Sequence, residues 1–395
     1  MRLKAYKYRL YPTRQQEQLL AKTFGCVRFV YNKALDIKTS LYQKEKKSIS
    51  IYDLIKQISQ WKKSEEWLKE VNSQSLQSGL QHLDIAFTKF FKEKKGFPKF
   101  KKKSNRQSFS NPQNTIVDFK NKKVSIPKFK SGIRTIFHRT FKGKIKTSTV
   151  SRTPTGKYFI SILVEEKINN PKKKKLKENK TLGIDLGIKS FLTDSNGNKI
   201  DNPRFLNNCL LKLKKGQRQL SRKMKGSNNR NKQKIRVAKI HEKISNCRKD
   251  FLHKITTGIV KNQDYTSIAI EDLSTSDMIR DRRLSRCISD VGWGTFKDFL
   301  SYKCDWYGKN LLVIGRFDPS SRLCPCGHHN KNLRLSDRNW KCPLCNETHD
   351  RDILAAKNIK RFAFCKQDTY PSERGEFTPA ESCVSDSLKQ EASQL

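Results

Sequence analysis

Negative charge is what this sequence has least of, and long apolar runs come next. Asp and Glu number 37 against 84 Lys and Arg, so the formal net charge is +47. Self-repulsion of that size works against a compact state unless a polyanion compensates it. No apolar run approaches the length of a membrane span, which excludes a transmembrane helix. The segment Met1–Leu10 is charged and alternating, which excludes a signal peptide there. Both absences point to a soluble, intracellular protein with no membrane partner. No regular internal repeat is present. Apolar residues make up only 35% of the chain, but aromatics at 10% keep it out of the disordered class.

What is present starts with length. At 395 residues, two to four domains are expected. Basic clusters recur along nearly the whole chain, which suggests a long nucleic-acid groove rather than one patch. The 11 cysteines are scattered except for one cluster near the C-terminus. In a reducing compartment that cluster reads as metal binding, not disulfides.

Arg2 to Tyr11 alternates as a strand, ended by Pro12. Thr13 and Gln16 have capping-box spacing and start a helix carrying Leu19, Leu20, Phe24 and Val27. Gly25 is expected to break or bend it, with Val27–Tyr42 continuing as a second run. Tyr52–Lys62 also reads as a helix. Leu76, Leu80, Leu83, Phe87 and Phe91 recur at helical spacing and read as a core stripe. Lys92–Lys103 (KEKKGFPKFKKK) interleaves basic residues with Phe97 and Phe100, and Pro98 rules out a regular helix. Lys99, Lys101, Lys102 and Lys103 are candidates for phosphate contact with aromatic support; a solvated loop is the alternative. Residues 107–166 carry short alternating runs at Thr115–Phe119, Lys123–Ile126, Thr135–Phe137, Ile145–Val150 and Tyr158–Val164, the pattern of a small antiparallel barrel or sheet. With the opening strand they can form one domain interrupted by the helical insert. Pro171–Lys180 (PKKKKLKENK) is a basic linker, read as a tether to phosphate or a nuclear localisation signal.

The stretch Thr181–Leu192 (TLGIDLGIKSFL) brings an apolar strand to one acid, Asp185. A buried unpaired carboxylate is costly unless a cation neutralises it, although a strand-end Asp can also cap a turn. Ile188–Thr193 and the turn Ser195–Asn198 suggest a hairpin beside this strand. Asn207–Asn262 reads as two basic helices broken near Gly226. Thr266–Leu273 is a second apolar strand ending in Glu271 and Asp272; alternation turns only one of them inward, and the run Ile268–Ile270 does not settle which. Trp293–Tyr307 reads as a helix and Leu311–Phe317 as a third strand. Asp350 and Asp352 bracket Arg351 at the start of a last helix that runs through Phe364, and either can ligate metal.

This order of strand, acid, hairpin, strand, acid, and acid at a helix start is that of the RNase H-like nuclease fold. It would bring Asp185, Glu271 and Asp352 to one point, where they would share two Mg²⁺ ions about 3.5–4 Å apart. Carboxylates suit Mg²⁺, and hydrolysis by an activated water needs no covalent intermediate. Cys324-Pro-Cys326-Gly327 and Cys342-Pro-Leu-Cys345 form a second constellation. Four thiolates suit one closed, structural Zn²⁺ site. The first pair is one residue tighter than a usual knuckle, so His328, His329 or His349 could replace a thiolate.

Taken together, these pieces resemble TnpB, the OrfB-type transposon protein related to type V CRISPR nucleases. The resemblance spans nearly the whole chain: YKYRLYPTRQQEQLL with RFVYNKAL, WLKEVNSQSLQSGLQHLDIAFTKFF, GFPKFKKK, GIDLG, IEDLS, and CPCG with CPLC ahead of HDRDILAAKNI. The tail SERGEFTPAE also matches. It implies a multidomain fold, α/β plus all-β and α parts. A wedge β-barrel would occupy residues 1–12 and 92–170, and a helical recognition insert with an OrfB helix-turn-helix-like start would occupy 13–91. A basic linker (171–180) would lead to a RuvC nuclease domain (181–317 and 350–364) with an inserted zinc ribbon (318–349). Residues 365–395, rich in Ser, Glu and Gln, are expected to be disordered.

By position, Asp185, Glu271 and Asp352 match the family's three catalytic acids, and Cys324, Cys326, Cys342 and Cys345 its ribbon ligands. The resemblance implies a guide RNA from the transposon end and a double-stranded DNA target with a short flanking motif, with Gln77 a candidate contact to that motif. Base pairing would then read sequence while the basic groove holds the heteroduplex backbone. The setting would be a bacterial or archaeal cytoplasm, at the nucleoid. Two departures stand out. The first knuckle is C-x-C instead of C-x2-C, and Leu354 replaces the Asn of the family's D-x-N-A-A run, losing its hydrogen bond. The expected activity is RNA-guided, Mg²⁺-dependent DNA cleavage. The alternatives are a cleavage-deficient RNA-guided DNA binder, and a transposase acting directly on transposon-end DNA.

Overall fold

A computed structural model of the chain describes residues 1–104, 106–281, 284–316, 318–334 and 336–365. It divides into two compact units, Met1–Asn169 and the part from Asn170 onward. The tail expected to be disordered, residues 366–395, lies outside the described residues, as does Phe317 at the expected end of the third strand.

The N-terminal unit opens with strand β1 (Arg2–Tyr11), and Pro12 follows. Helix α1 (Arg14–Glu45) then starts at a complete capping box, in which the Gln16 amide N–H donates to Thr13 Oγ1 and the Thr13 amide N–H to Gln16 Oε1. The expected break at Gly25 is absent, and α1 runs unbroken for 32 residues. A mid-helix glycine costs only about 1 kcal/mol. The buried Leu20, Phe24, Val27 and Val30 around it each return about 1.5–3 kcal/mol.

Helix α2 (Ile51–Ser64) packs on α3 (Ser73–Lys92), and α3 packs on α1. Leu76, Leu80 and Leu83 of α3 are fully buried. Gly79 lets α3 approach α1, since a Cβ there would lie 3.1 Å from Val27 Cγ1. The stripe stops early, because Phe91 is 73% exposed. The last turn of α3 outruns its buried face, and Phe91 packs on the rings of Phe87 and Phe90.

Six further strands complete the unit: β2 (Gln107–Asn111), β3 (Ile116–Asp118), β4 (Lys123–Ile126), β5 (Phe129–Ile136), β6 (Lys144–Arg152) and β7 (Tyr158–Glu166). They form one sheet in the order β2-β6-β7-β1-β5-β4-β3, with antiparallel pairs throughout. β2 had no counterpart in the sequence reading; QSFSN is polar, and its pairing along β6 holds it. Tyr6, Tyr8 and Leu10 alternate inward from β1, which lies at the centre of the sheet.

The second unit is built on β8 (Thr181–Asp185), β9 (Ser190–Asp194), β10 (Lys199–Asp201), β11 (Ser267–Glu271) and β12 (Asn310–Ile314), ordered β10-β9-β8-β11-β12. β8, β11 and β12 are parallel; β9 and β10 return antiparallel as the expected hairpin. Parallel neighbours need crossovers. Between β10 and β11 the crossover is α4 (Phe205–Ser221) and the 34-residue α5 (Asn228–Lys261), the latter capped by Ser227 beside the expected break. Between β11 and β12 it is α6 (Thr275–Met278), α7 (Ser285–Val291) and α8 (Trp293–Tyr307). A short hairpin, β13 (Asn339–Lys341) with β14 (Thr348–Asp350), precedes α9 (Arg351–Cys365).

Helix α9 lies directly on β8. A Cβ at Gly183 would fall 2.0 Å from the Ala356 carbonyl oxygen and 2.9 Å from Lys360 Cβ. Only glycine permits that approach, and it sets the first turn of α9 beside the C-terminal end of β8. The core beneath includes Ile184, Phe191, Ile268, Ile270 and Phe296.

Candidate metal centres

Asp185 ends β8, Glu271 ends the adjacent parallel strand β11, and Asp352 lies in the first turn of α9. The register pairs Ile270 with Ile184, so the two strand acids leave the sheet side by side. All three are partly buried. Burial, then the neighbouring Asp352 and Glu271 charges, push the Asp185 carboxyl up to about 7, against a smaller opposing effect of Arg351. Burial, then Asp318 and Asp272, push Glu271 up to about 7. Their oxygens do not all lie within 4.8 Å of one another, unlike the sulfurs described below. A pair of ions about 3.5–4 Å apart calls for a wider donor set than a single ion does.

The rival acids are engaged elsewhere. Asp272 accepts from Lys297 Nζ at 2.6 Å and has Arg316 Nη2 at 4.0 Å. Asp350 accepts from Lys199 Nζ at 2.7 Å and from the amide N–H groups of Asp352 and Ile353, which caps α9. Burial raises the Asp350 carboxyl, but these donors outweigh it and hold it below the usual range. Two neighbours were missed in the sequence. Asp318, whose Oδ2 accepts the Gly315 amide N–H, reads locally as a turn residue before Pro319. Arg338 donates Nη1 to Asp352 Oδ1 at 3.2 Å from 14 residues upstream. Neither has a sequence signal, because both depend on loops folding back.

The cysteine cluster is compact. The sulfurs of Cys324, Cys326, Cys342 and Cys345 all lie within 4.8 Å of one another. Cys324 and Cys345 are 3.5 Å apart, Cys326 and Cys342 3.6 Å. Burial raises the Cys342 thiol, yet the N–H groups of Cys345 and Leu344 outweigh it and bring it down to about 7. A thiolate is the form that ligates Zn²⁺. His349 is buried with its Nε2 3.0 Å from Cys324 Sγ, and it forms a second group with Cys324 and Glu347. Of the three histidines considered as ligands, it is the one that reaches the sulfurs in this grouping. Leu354, in the place of the expected Asn, is buried with Cys324, Leu333, Trp340 and Cys342. It therefore packs α9 against this cluster.

In the N-terminal unit, Gln77 lies partly exposed on α3, and Lys99, Lys102 and Lys103 are exposed. Lys101 differs: its Nζ sits 3.7 Å from the centre of the Tyr31 ring, and Asn32 clasps its backbone N–H and carbonyl at 2.8 and 3.0 Å. A cleft of about 710 Å³ in this unit is lined by Lys22, Arg28, Asn32, Lys33, Trp67 and Glu70, with none of the three acids.

Three family models match the chain. One described as "Probable transposase" (OrfB_IS605) covers residues 159–282, a helix-turn-helix domain model (HTH_OrfB_IS605) covers 1–47, and a Cas12f1-like TNB domain model covers 293–359. Over 1–47 the structure has strand β1 and the single helix α1. A Streptomyces pristinaespiralis protein named "Putative RNA-guided DNA endonuclease" is 38% identical over 361 residues, 90% of this chain and 88% of that protein. Another of that name, InsQ of Escherichia coli K12, is 34% identical over 375 residues, 91% of this chain and 92% of that protein. Among solved structures, a Cas12f1 chain from a complex with sgRNA and target DNA shares the fold at TM-score 0.55 and 13% identity, covering 91% of this chain and 98% of that one. No helix of the described residues is long and apolar enough to cross a membrane.

Proposed function

The chain belongs to the TnpB family, and from that membership we propose that it is an RNA-guided endonuclease hydrolysing target DNA at Asp185, Glu271 and Asp352. The observation that carries the reading is the convergence of these acids from β8, β11 and α9, where burial, then the charges of Asp352 and Glu271, push the Asp185 carboxyl up to about 7. A perturbed carboxylate cluster at the carboxyl ends of parallel strands is a usual place for catalysis. The strand order and closing helix support a RuvC domain of the RNase H-like kind over 181–317 and 350–364. A structural zinc ribbon would lie at 318–349, a wedge barrel at 1–12 and 92–170, and a recognition insert at 13–91.

The donor sets fit their expected metals. Asp185, Glu271 and Asp352 offer hard oxygens that suit Mg²⁺, and the four cysteines offer the thiolates that suit one closed Zn²⁺ site. Two Mg²⁺ ions bound by the acids would supply activation of the attacking water and stabilisation of the leaving 3′ oxygen. The chain's own part is to hold three carboxylates on rigid elements and to keep Asp272 and Asp350 occupied with lysines. The charge of +47 supports a guide RNA, transcribed from the transposon end, and a duplex target with a short flanking motif. Lys99, Lys101, Lys102 and Lys103 would contact backbone phosphates, and Gln77 the flanking motif.

The test is to co-express the chain with RNA spanning its own transposon end, purify the complex and assay plasmids carrying a matched target. Cleavage is expected in Mg²⁺ and not in EDTA, with Asp185→Ala abolishing it. Absence of a discrete co-purifying RNA would overturn guidance, and an Asp185→Ala enzyme cutting like wild type would overturn the site. A second reading, guided binding without cleavage, is favoured by Leu354, which is packed into the cysteine cluster's core. The same assay separates the two, since binding to matched DNA without any cut product is its signature.

A further inference from the structure

Arg338 belongs by sequence to the cysteine-rich segment, yet its side chain serves the carboxylate cluster. Its Nη1 lies 3.2 Å from Asp352 Oδ1 and 3.5 Å from Oδ2. Its backbone is held at the same place. The Arg338 carbonyl accepts the Arg351 amide N–H at 2.8 Å, and the next residue, Asn339, pairs with Asp350 across β13 and β14. Arg351, adjacent to Asp352 in sequence, turns its own Nη1 to the Arg334 carbonyl at 2.9 Å. The cation on Asp352 therefore comes from the ribbon, not from the helix that carries the acid.

A carboxylate has about four lone-pair sites, and in metal sites the ones not facing the ion are usually held by an outer donor. Arg suits that task because its charge is permanent and its donors are rigidly spaced. Asp352 sits in the first turn of α9, where its side chain needs a partner to hold one orientation. As a half-exposed ion pair the contact adds little to stability. Its effect is on direction.

We propose that Arg338 is a positioning residue that orients Asp352 for divalent-metal binding, so that the folded ribbon sets the metal affinity of the nuclease centre. The proposal rests on Asp185, Glu271 and Asp352 being the metal ligands. The experiment measures Mn²⁺ binding by electron paramagnetic resonance on the full chain without nucleic acid. The proteins are wild type, Asp185→Ala, Arg338→Ala and Arg338→Lys, with zinc content and melting temperature measured on each. Arg338→Ala is expected to weaken Mn²⁺ binding about 10- to 100-fold with zinc retained, and Arg338→Lys to recover part of the loss. Zinc-loaded Arg338→Ala that binds Mn²⁺ as tightly as wild type, or more tightly, overturns the proposal. If Arg338→Ala loses zinc, zinc-loaded Arg338→Gln decides by the same criterion. Asp185→Ala binding Mn²⁺ like wild type is a different failure, that of the ligand assignment itself.

Discussion

Burial raises the Asp185 and Glu271 carboxyls to about 7, so each keeps part of its proton at neutral pH where ordinary surface acids have lost theirs. In the unfolded chain Asp185 ionises near 3.8, and in the folded chain near about 7. Between those values the unfolded chain sheds its proton first, so stability falls as pH rises through the window and is level below and above it. Asp185→Asn should therefore stabilise the metal-free protein by on the order of 1–3 kcal/mol at pH 8, and by nothing measurable at pH 4. Urea melts at both pH values check this; an equal gain at both would point to packing instead. A divalent ion must displace the same protons, so Mn²⁺ affinity should climb between pH 6 and 8. The acid at the end of an apolar strand was readable because so few reasons place one there. The ion pairing of Asp272 was not, since Lys297 and Arg316 arrive from distant segments to engage it.

The contact between β8 and α9 shows what an element contributes. Gly183 lies two residues before Asp185, and Ala356 four residues after Asp352. The 2.0 Å that a Cβ would leave to the Ala356 carbonyl forces the helix away from the strand. Gly183→Ala is expected to cost about 1–3 kcal/mol, a typical overpacking penalty, and to weaken Mn²⁺ binding because Asp352 moves with the helix. Denaturant melts with Mn²⁺ titration test it; unchanged stability would mean the helix is not held that closely. Elements with strong periodicity were legible, α1, α3 and α8 among them. Their limits were not: α1 continues through Gly25 because buried neighbours outweigh a weak local preference, and Phe91 is exposed because the last turn of α3 extends past the face that α3 buries. β2 escaped notice because its five residues are held by β6, not by any pattern of their own.

An excess of 47 positive charges governs the behaviour of the entire chain. If basic surfaces track a nucleic-acid backbone, RNA affinity should fall steeply with salt, by roughly 10³–10⁵ between 50 and 200 mM for about 6–10 neutralised phosphates. Filter binding across a potassium chloride series measures the slope, and a slope near −1 would show that most of this charge faces elsewhere. Composition, the order of acid-tipped strands and the two cysteine pairs were enough by themselves to indicate a basic chain with two candidate metal sites, and the resemblance of its motifs to TnpB added the family, because composition, strand alternation and ligand spacing are read without knowing the fold. Tertiary structure alone decided which acids are engaged by lysines, that His349 lies against Cys324, that Leu354 is buried with Cys324 and Cys342, and that Arg338 reaches Asp352. Those outcomes depend on distances between segments far apart in the chain, which packing sets and no stretch of sequence encodes on its own.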